Sequence, residues 1–179
     1  GFHMLLLPFA AIGNVALGLQ LAAVTLTLLL GTTVYWVLRR HGIEGAGWWA
    51  AIFLIAVPNV FFRYLMVRPH VVSLAASLAL LSALVRGRWW QVALISGLIT
   101  WVHLGLFWMA PGIVIAYVVT RIPVTVGLGR EQPDMGVPIR YALLAVTLGT
   151  AAGWLLRPEP LATAALLNVQ LIRLFAQKA

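Results

Sequence analysis

The sequence predicts an all-α bundle of transmembrane helices, and its composition supports this fold class in three ways. Of the 179 residues, 63% are hydrophobic and only 9% are charged, and the mean hydropathy is +1.00. Soluble domains carry about 25% charged residues, and the apolar stretches here exceed what one core of this size could bury. The composition therefore excludes a soluble enzyme and a disordered tail, and the lack of cysteine excludes a disulfide scaffold.

About five apolar segments, within a range of four to six, are predicted to cross the membrane, because about 20 residues span a hydrocarbon core. Four of them are single spans, at residues 14–38, 47–62, 70–85 and 139–156. The fifth, residues 89–120, is too long for one upright helix. We expect a re-entering hairpin that turns near His103, whose short halves require tilt or local thinning of the bilayer.

The remaining segments are predicted to lie at the interface or in a loop. Residues 4–11 are apolar but interrupted by Pro8, which favours a short buried or interfacial helix. Residues 161–179 mix apolar and polar side chains and suit an interfacial helix, with a sixth span as the alternative. Residues 121–138 are rich in proline and glycine and are predicted to form a loop. We expect residues 1–179 to be one helical domain that is a fragment of a longer membrane protein.

The arginines divide into two groups when the spans alternate. The larger group comprises Arg39, Arg40, Arg86, Arg88, Arg121, Arg130 and Arg140. Short cytoplasmic loops are enriched in lysine and arginine, so this group is assigned to the cytoplasmic side. A belt of tryptophans is predicted at the same interface, formed by Trp36, Trp48, Trp49, Trp89 and Trp90. The pI near 11.4 then indicates contact with lipid phosphates, with no role in nucleic-acid binding.

A smaller set of polar residues falls on the outer side, where topology does not require them. This set comprises His3, Arg63, Arg68, His70, His103, Arg157 and Glu159. Pro69 is predicted to open a helix, and the first turn of a helix offers N–H groups to an anion. Arg63, Arg68 and His70 could therefore bind a lipid phosphate or pyrophosphate. In the alternative, both arginines extend to lipid headgroups or pair with a carboxylate elsewhere.

Three further outer residues allow more than one interpretation. His103 lies in an apolar stretch, where it could line a functional cavity or hydrogen-bond to a neighbouring helix. With His70 it also meets the minimum requirement for ligation of haem or chlorophyll. Arg157 and Glu159, in an Arg-Pro-Glu-Pro run, could contact substrate, although a rigid helix stop with a local ion pair is the favoured interpretation. Gly149 and Gly153, four residues apart, are expected to serve helix packing.

Several stretches together resemble the middle of a bacterial GT-C-type membrane glycosyltransferase. They are the sequences at residues 2–9, 35–42, 63–70 and 101–103. The resemblance covers most of residues 1–120. It implies a polytopic protein of the bacterial inner membrane that takes a sugar from a polyprenyl-phosphate donor on the periplasmic face.

The resemblance also implies roles for individual residues. Arg63, Arg68 and His70 would hold the donor phosphate, while a second group would line the cavity, namely His3, His103, Arg157 and Glu159. The family's acidic catalytic base normally lies in the first outer loop, but no Asp or Glu precedes Glu44 in this chain. The base is therefore expected upstream of Gly1.

The sequence leaves two questions open, namely whether the proposed site binds a metal and which function the protein has. No zinc-ligand spacing is present, so no residue is assigned to a metal, although the family allows a divalent cation. The alternative function is a non-catalytic integral membrane subunit of a larger complex that binds lipid or pigment, with other membrane subunits as partners. A transporter is a third hypothesis, although the spans lack the paired intramembrane charges common in such proteins.

Overall fold

The computed structural model describes residues 1–56, 65–125, 136–158 and 160–162. Within these ranges every regular element is helical, and the all-α prediction is confirmed. The helices are α1 Phe2–Ala10, α2 Val15–Arg40, α3 Ala46–Ile55, α4 Pro69–Val85, α5 Trp89–Val102, α6 Met109–Thr125 and α7 Ile139–Leu155, with a 3-10 turn at Leu104–Leu106.

Two of the described segments are long and apolar enough to cross a membrane. They are α2, with 26 residues, and the 18 residues of Leu104–Arg121. Core helices of soluble proteins are mostly buried, whereas only 28% and 22% of these two segments are buried. The other apolar helices, α3, α4, α5 and α7, have 10–17 residues. The structure is thus compatible with a membrane protein, and the count of five spans remains a prediction.

The long helix α2 has clear start and stop signals. The side chain of Asn14 accepts a hydrogen bond from the backbone N–H of Leu17 at 3.1 Å, which satisfies one of the free donors of the first turn. At the other end, Arg39 and Arg40 stand near the partial negative charge of the helix terminus. Gly42 follows with a φ of +74°, a conformation that favours glycine and turns the chain away.

The predicted break near His103 is confirmed. His103 has extended backbone angles and ends α5, and the 3-10 turn follows directly. After the turn α6 runs back along the bundle and continues to Thr125. The prediction of a loop from residue 121 onwards is therefore wrong at its start. Pro123 lies in the last turn of the helix, where its missing N–H removes a single helical hydrogen bond.

The structure agrees in part with the predicted bounds of the second span and of the short N-terminal helix. Helix α3 begins at Ala46, one residue before the predicted second span, and ends at Ile55, whereas residues 57–64 lie outside the described residues. Helix α1 has nine residues, includes Pro8 and is mostly exposed, with Phe2 as its one buried residue. The segment 163–179, predicted to be an interfacial helix, also lies outside the described residues.

Helices α5 and α7 pack backbone against backbone, through the glycines predicted to serve packing. A Cβ atom added to Gly153 would lie 2.8 Å from the Cα of Gly97, and one added to Gly149 would lie 3.0 Å from the Cα of Ala93. The added Cβ of Gly149 would also lie 2.9 Å from the carbonyl carbon of Ala93, and real Cβ atoms essentially never lie closer than 3.0 Å to another heavy atom. The two helices can therefore approach as they do only because glycine occupies these positions.

Basic residues gather at one end of the bundle, which we call the arginine-rich end. The C-termini of α2 and α4 meet there, because Arg86 Nη1 donates to the carbonyl of Arg40 at 3.3 Å. The start of α7 joins them, since the N–H of Val137 donates to the carbonyl of Leu84 at 2.9 Å. The predicted tryptophan belt lies on the helix segments at or near this end, and its five members are 42–79% exposed.

The opposite end, which we call the histidine end, holds the start of α4 and the ends of α5 and α7. Phe2 of α1 belongs to the same core cluster as Val71 of α4 and Val102 of α5. The two ends of the bundle therefore separate the two groups of arginines, as far as these residues are described.

Replacing Gly153 by alanine is expected to destabilise the bundle by about 1–3 kcal/mol, because the added methyl group overpacks the α5–α7 contact. Thermal unfolding of the purified protein in detergent measures the effect. Gly112→Ala is the matched control, since a Cβ there meets nothing within 4 Å, and we expect it to be neutral or stabilising. An equal loss of stability in both variants would contradict the role of the α5–α7 contact.

Candidate functional site

Two histidines, one at the start of α4 and one just after the end of α5, meet at the histidine end. Pro69 occupies the first position of α4, and Arg68 before it is extended, which is the conformation that proline imposes on its predecessor. His70 is therefore in the first helical turn. Its ring lies 4.5 Å from the ring of His103, centroid to centroid, in an edge-to-face arrangement at 61°.

Arg157 joins this pair by capping the end of α5. Helix α7 ends at Leu155, and Arg157 follows after one residue. Its Nη1 atom donates to the carbonyls of Thr100 and Trp101, at 2.9 and 3.3 Å. These carbonyls belong to the last turn of α5, where they have no partner within the helix and carry a partial negative charge. A cation is thus held against the same helix end that carries His103.

Two polar atoms at this end are buried without a partner among the described residues. They are Nδ1 of His103 and Nε of Arg157. Buried polar atoms are normally hydrogen-bonded, so a polar group that reached them would gain free energy. An anionic group meets this need best, because it can accept from the guanidinium and from an imidazole N–H.

Burial also governs the charge of His103, which lies in the break between α5 and α6, outside both helices. Burial lowers the pKa of its imidazole, and the neighbouring His70 and Arg157 lower it further. Burial likewise lowers the pKa of Arg157. A neutral His103 is therefore favoured at neutral pH, and an anion bound beside it would raise its pKa again.

The structure shows no contact between the pair of histidines and the remaining predicted site residues that it describes. Arg68 occupies the position just before α4, makes no capping hydrogen bond with its side chain, and is exposed. His3 is exposed in the first turn of α1, with its ring 6.3 Å from that of Phe2. Arg63 and Glu159 lie outside the described residues.

The pair of histidines does not have the geometry of bis-histidine haem ligation. Two imidazoles on opposite sides of one metal ion would have ring centroids about 6 Å apart, since each metal–nitrogen bond is about 2 Å long. The rings of His70 and His103 contact each other instead. Among the described residues, no group of three or more His, Asp or Glu side chains could hold a metal ion.

Sequence reasoning missed the partner of Arg157. The Arg-Pro-Glu-Pro run does stop α7 as expected, but the guanidinium binds main-chain carbonyls of another helix. No residue type marks such acceptors, so only the break at His103 could have indicated that α5 ends here with free carbonyls.

Arg157→Met is expected to destabilise the protein by about 1–3 kcal/mol, because hydrogen bonds from a charged donor to partly buried carbonyls of α5 are lost. Chemical unfolding of the purified protein measures the change. Arg140→Met is the control, because Arg140 is exposed and stacks on the neighbouring Tyr141 ring, 4.8 Å from its centroid. If both variants were equally stable, the hydrogen bonds from Arg157 to α5 would make no contribution to the stability of the protein.

Comparison of the chain with models of protein families, with curated proteins and with solved structures finds no match.

Proposed function

We propose that this chain is part of a membrane glycosyltransferase that takes a sugar from a polyprenyl-phosphate donor. The donor phosphate would bind at the histidine end, on the periplasmic face of a bacterial inner membrane. One observation carries the proposal: His70, His103 and Arg157 come from three separate helix ends and gather at one end of the bundle. Among the described residues, His103 Nδ1 and Arg157 Nε are buried there without a hydrogen-bond partner.

The residues at this end suit different tasks in binding a phosphate. Arg68 is exposed, and no described side chain pairs with it, so its guanidinium is available for a bidentate contact with phosphate oxygens. The first turn of α4 adds N–H donors and the positive end of a helix dipole. Arg157 is held by the carbonyls of α5. It therefore serves to position His103 and to keep positive charge near the departing phosphate.

The described residues supply the phosphate half of such a site and not its base. Transfer of a sugar to a hydroxyl group needs a general base to accept the proton of that hydroxyl. Glu44 is the one acidic residue within the described ranges, and it lies between α2 and α3, beside the arginine-rich end. The base is therefore proposed to come from outside the described residues.

The orientation follows from the two ends of the bundle. Positive charge concentrated at the arginine-rich end favours the cytoplasmic side, and five exposed tryptophans suit the headgroup level there. The histidine end then faces the periplasm, where a lipid-linked sugar would be presented.

Site-directed labelling tests this orientation, and the chain has no native cysteine to interfere. Glu44→Cys and Leu161→Cys change exposed residues at opposite ends. An impermeant maleimide added to intact cells should label Leu161→Cys alone, and Glu44→Cys should react only after the membrane is opened. Labelling of Glu44→Cys alone from outside would reverse the proposed topology.

Arg68→Ala tests the function itself. In membranes containing the full-length protein, we expect transfer from a polyprenyl-phosphate sugar to fall at least about tenfold, because a charged contact to the phosphate is lost. Protein level should stay unchanged. Arg39→Ala is the control, as Arg39 lies at the opposite end and hydrogen-bonds to Tyr35 on its own helix. Unchanged transfer in Arg68→Ala would contradict the proposal and favour a non-catalytic membrane subunit.

A further inference from the structure

A small cationic cleft lies at the arginine-rich end, far from the proposed donor site. His41, Arg86 and Arg88 line it together with Val85, and its volume is about 360 Å³. Two tight turns bring these residues together, with positive φ angles at Gly42 and Gly87. His41 Nε2 lies 3.0 Å from Ser82 Oγ on α4. This contact fixes the ring against the helix that leads to the two arginines.

A largely apolar groove of about 660 Å³ lies between α4 and α6, and Tyr117, Thr120 and Arg121 are also among its lining residues. Leu78, Leu81 and Val85 form its α4 wall, and they lie on one face of that helix because they are three and four residues apart. Ile113 and Ala116 line it from α6. Val85 borders both cavities, so the cationic cleft and the apolar groove are neighbours with a shared wall.

The charges of the cleft are not balanced by described carboxylates. Within the ranges that the structure describes, neither Arg86 nor Arg88 forms an ion pair, and both side chains are exposed. Arg86 does donate to the carbonyl of Arg40, which orients it without neutralising it. The planar guanidinium can form two parallel hydrogen bonds to the oxygens of one phosphate.

We propose that this pair of cavities is a binding site for an anionic phospholipid. The phosphate lies between His41, Arg86 and Arg88, and one acyl chain lies in the groove along Leu78 and Leu81. The charge of the cleft selects an anion, and the adjoining apolar groove selects a molecule whose anion carries a hydrocarbon chain. The site is separate in space from that of the sugar donor, because it lies at the other end of the bundle.

Lipid selectivity of the purified full chain tests this site. The protein is equilibrated in mixed micelles with equal amounts of phosphatidylglycerol and phosphatidylcholine, and the lipids that remain bound are quantified by mass spectrometry. We expect phosphatidylglycerol to be enriched. The Arg86→Gln/Arg88→Gln variant should lower this enrichment by about tenfold, since each arginine near an anionic lipid contributes substantially to binding.

A matched control removes the same charge from the same end. Arg39→Gln/Arg140→Gln changes two exposed arginines that line neither cavity, and it should keep the enrichment. If both double variants lost the enrichment equally, the general positive charge of this end would explain lipid binding, and the proposed site would be wrong. So would equal binding of the two lipids by the unmodified protein.

Two further measurements separate a lipid from a soluble anion. Leu81→Trp fills the groove from an exposed position, 48% accessible, and should reduce retention of phosphatidylglycerol without changing the charges. Inorganic phosphate at millimolar concentration should not displace the lipid. Displacement by phosphate, or full retention by Leu81→Trp, would contradict a site that holds the acyl chain, and the second variant remains informative if the double arginine variant fails to fold.

Discussion

The close approach of α5 and α7 is the constraint on which the rest of the bundle depends. Gly97, Gly149 and Gly153 allow the two backbones to touch, and only at this separation does the end of α7 reach the end of α5. The hydrogen bonds from Arg157 to the carbonyls of Thr100 and Trp101 follow from it. Helix packing in the apolar middle thus determines where the polar groups of the histidine end lie.

Much of the fold could be predicted because its signals are local. Apolar length, the capping Asn14, Pro69 at the start of α4 and the break at His103 each act on their own stretch of chain. The end of α6 could not be predicted, since residues 121–125 contain a proline and yet continue a helix that is already formed. Tertiary context decides such cases.

The site was less predictable than the fold, for a physical reason. That His70 and His103 lie at the same end of the bundle follows from counting residues, but the contact of their rings depends on how two helices rotate about their axes. The approach of Arg157 to main-chain carbonyls depends on a distance between helices. Neither the rotation of the helices nor the distance between them can be read from the residue types. The role of Arg63 and Glu159, which lie outside the described residues, stays a prediction.

Helix α4 connects the two proposed sites, because residues of both sites lie on it. It begins with His70 and ends with Val85, and its 17 residues form a rod about 25 Å long. Because such a helix is stiff along its axis, an axial displacement of one end moves the other end by nearly the same distance. A lipid that drew Val85 outward would pull His70 away from His103, and an anion that held His70 would resist that movement. A ligand that shifted α4 at either end would therefore also move the residues at its other end.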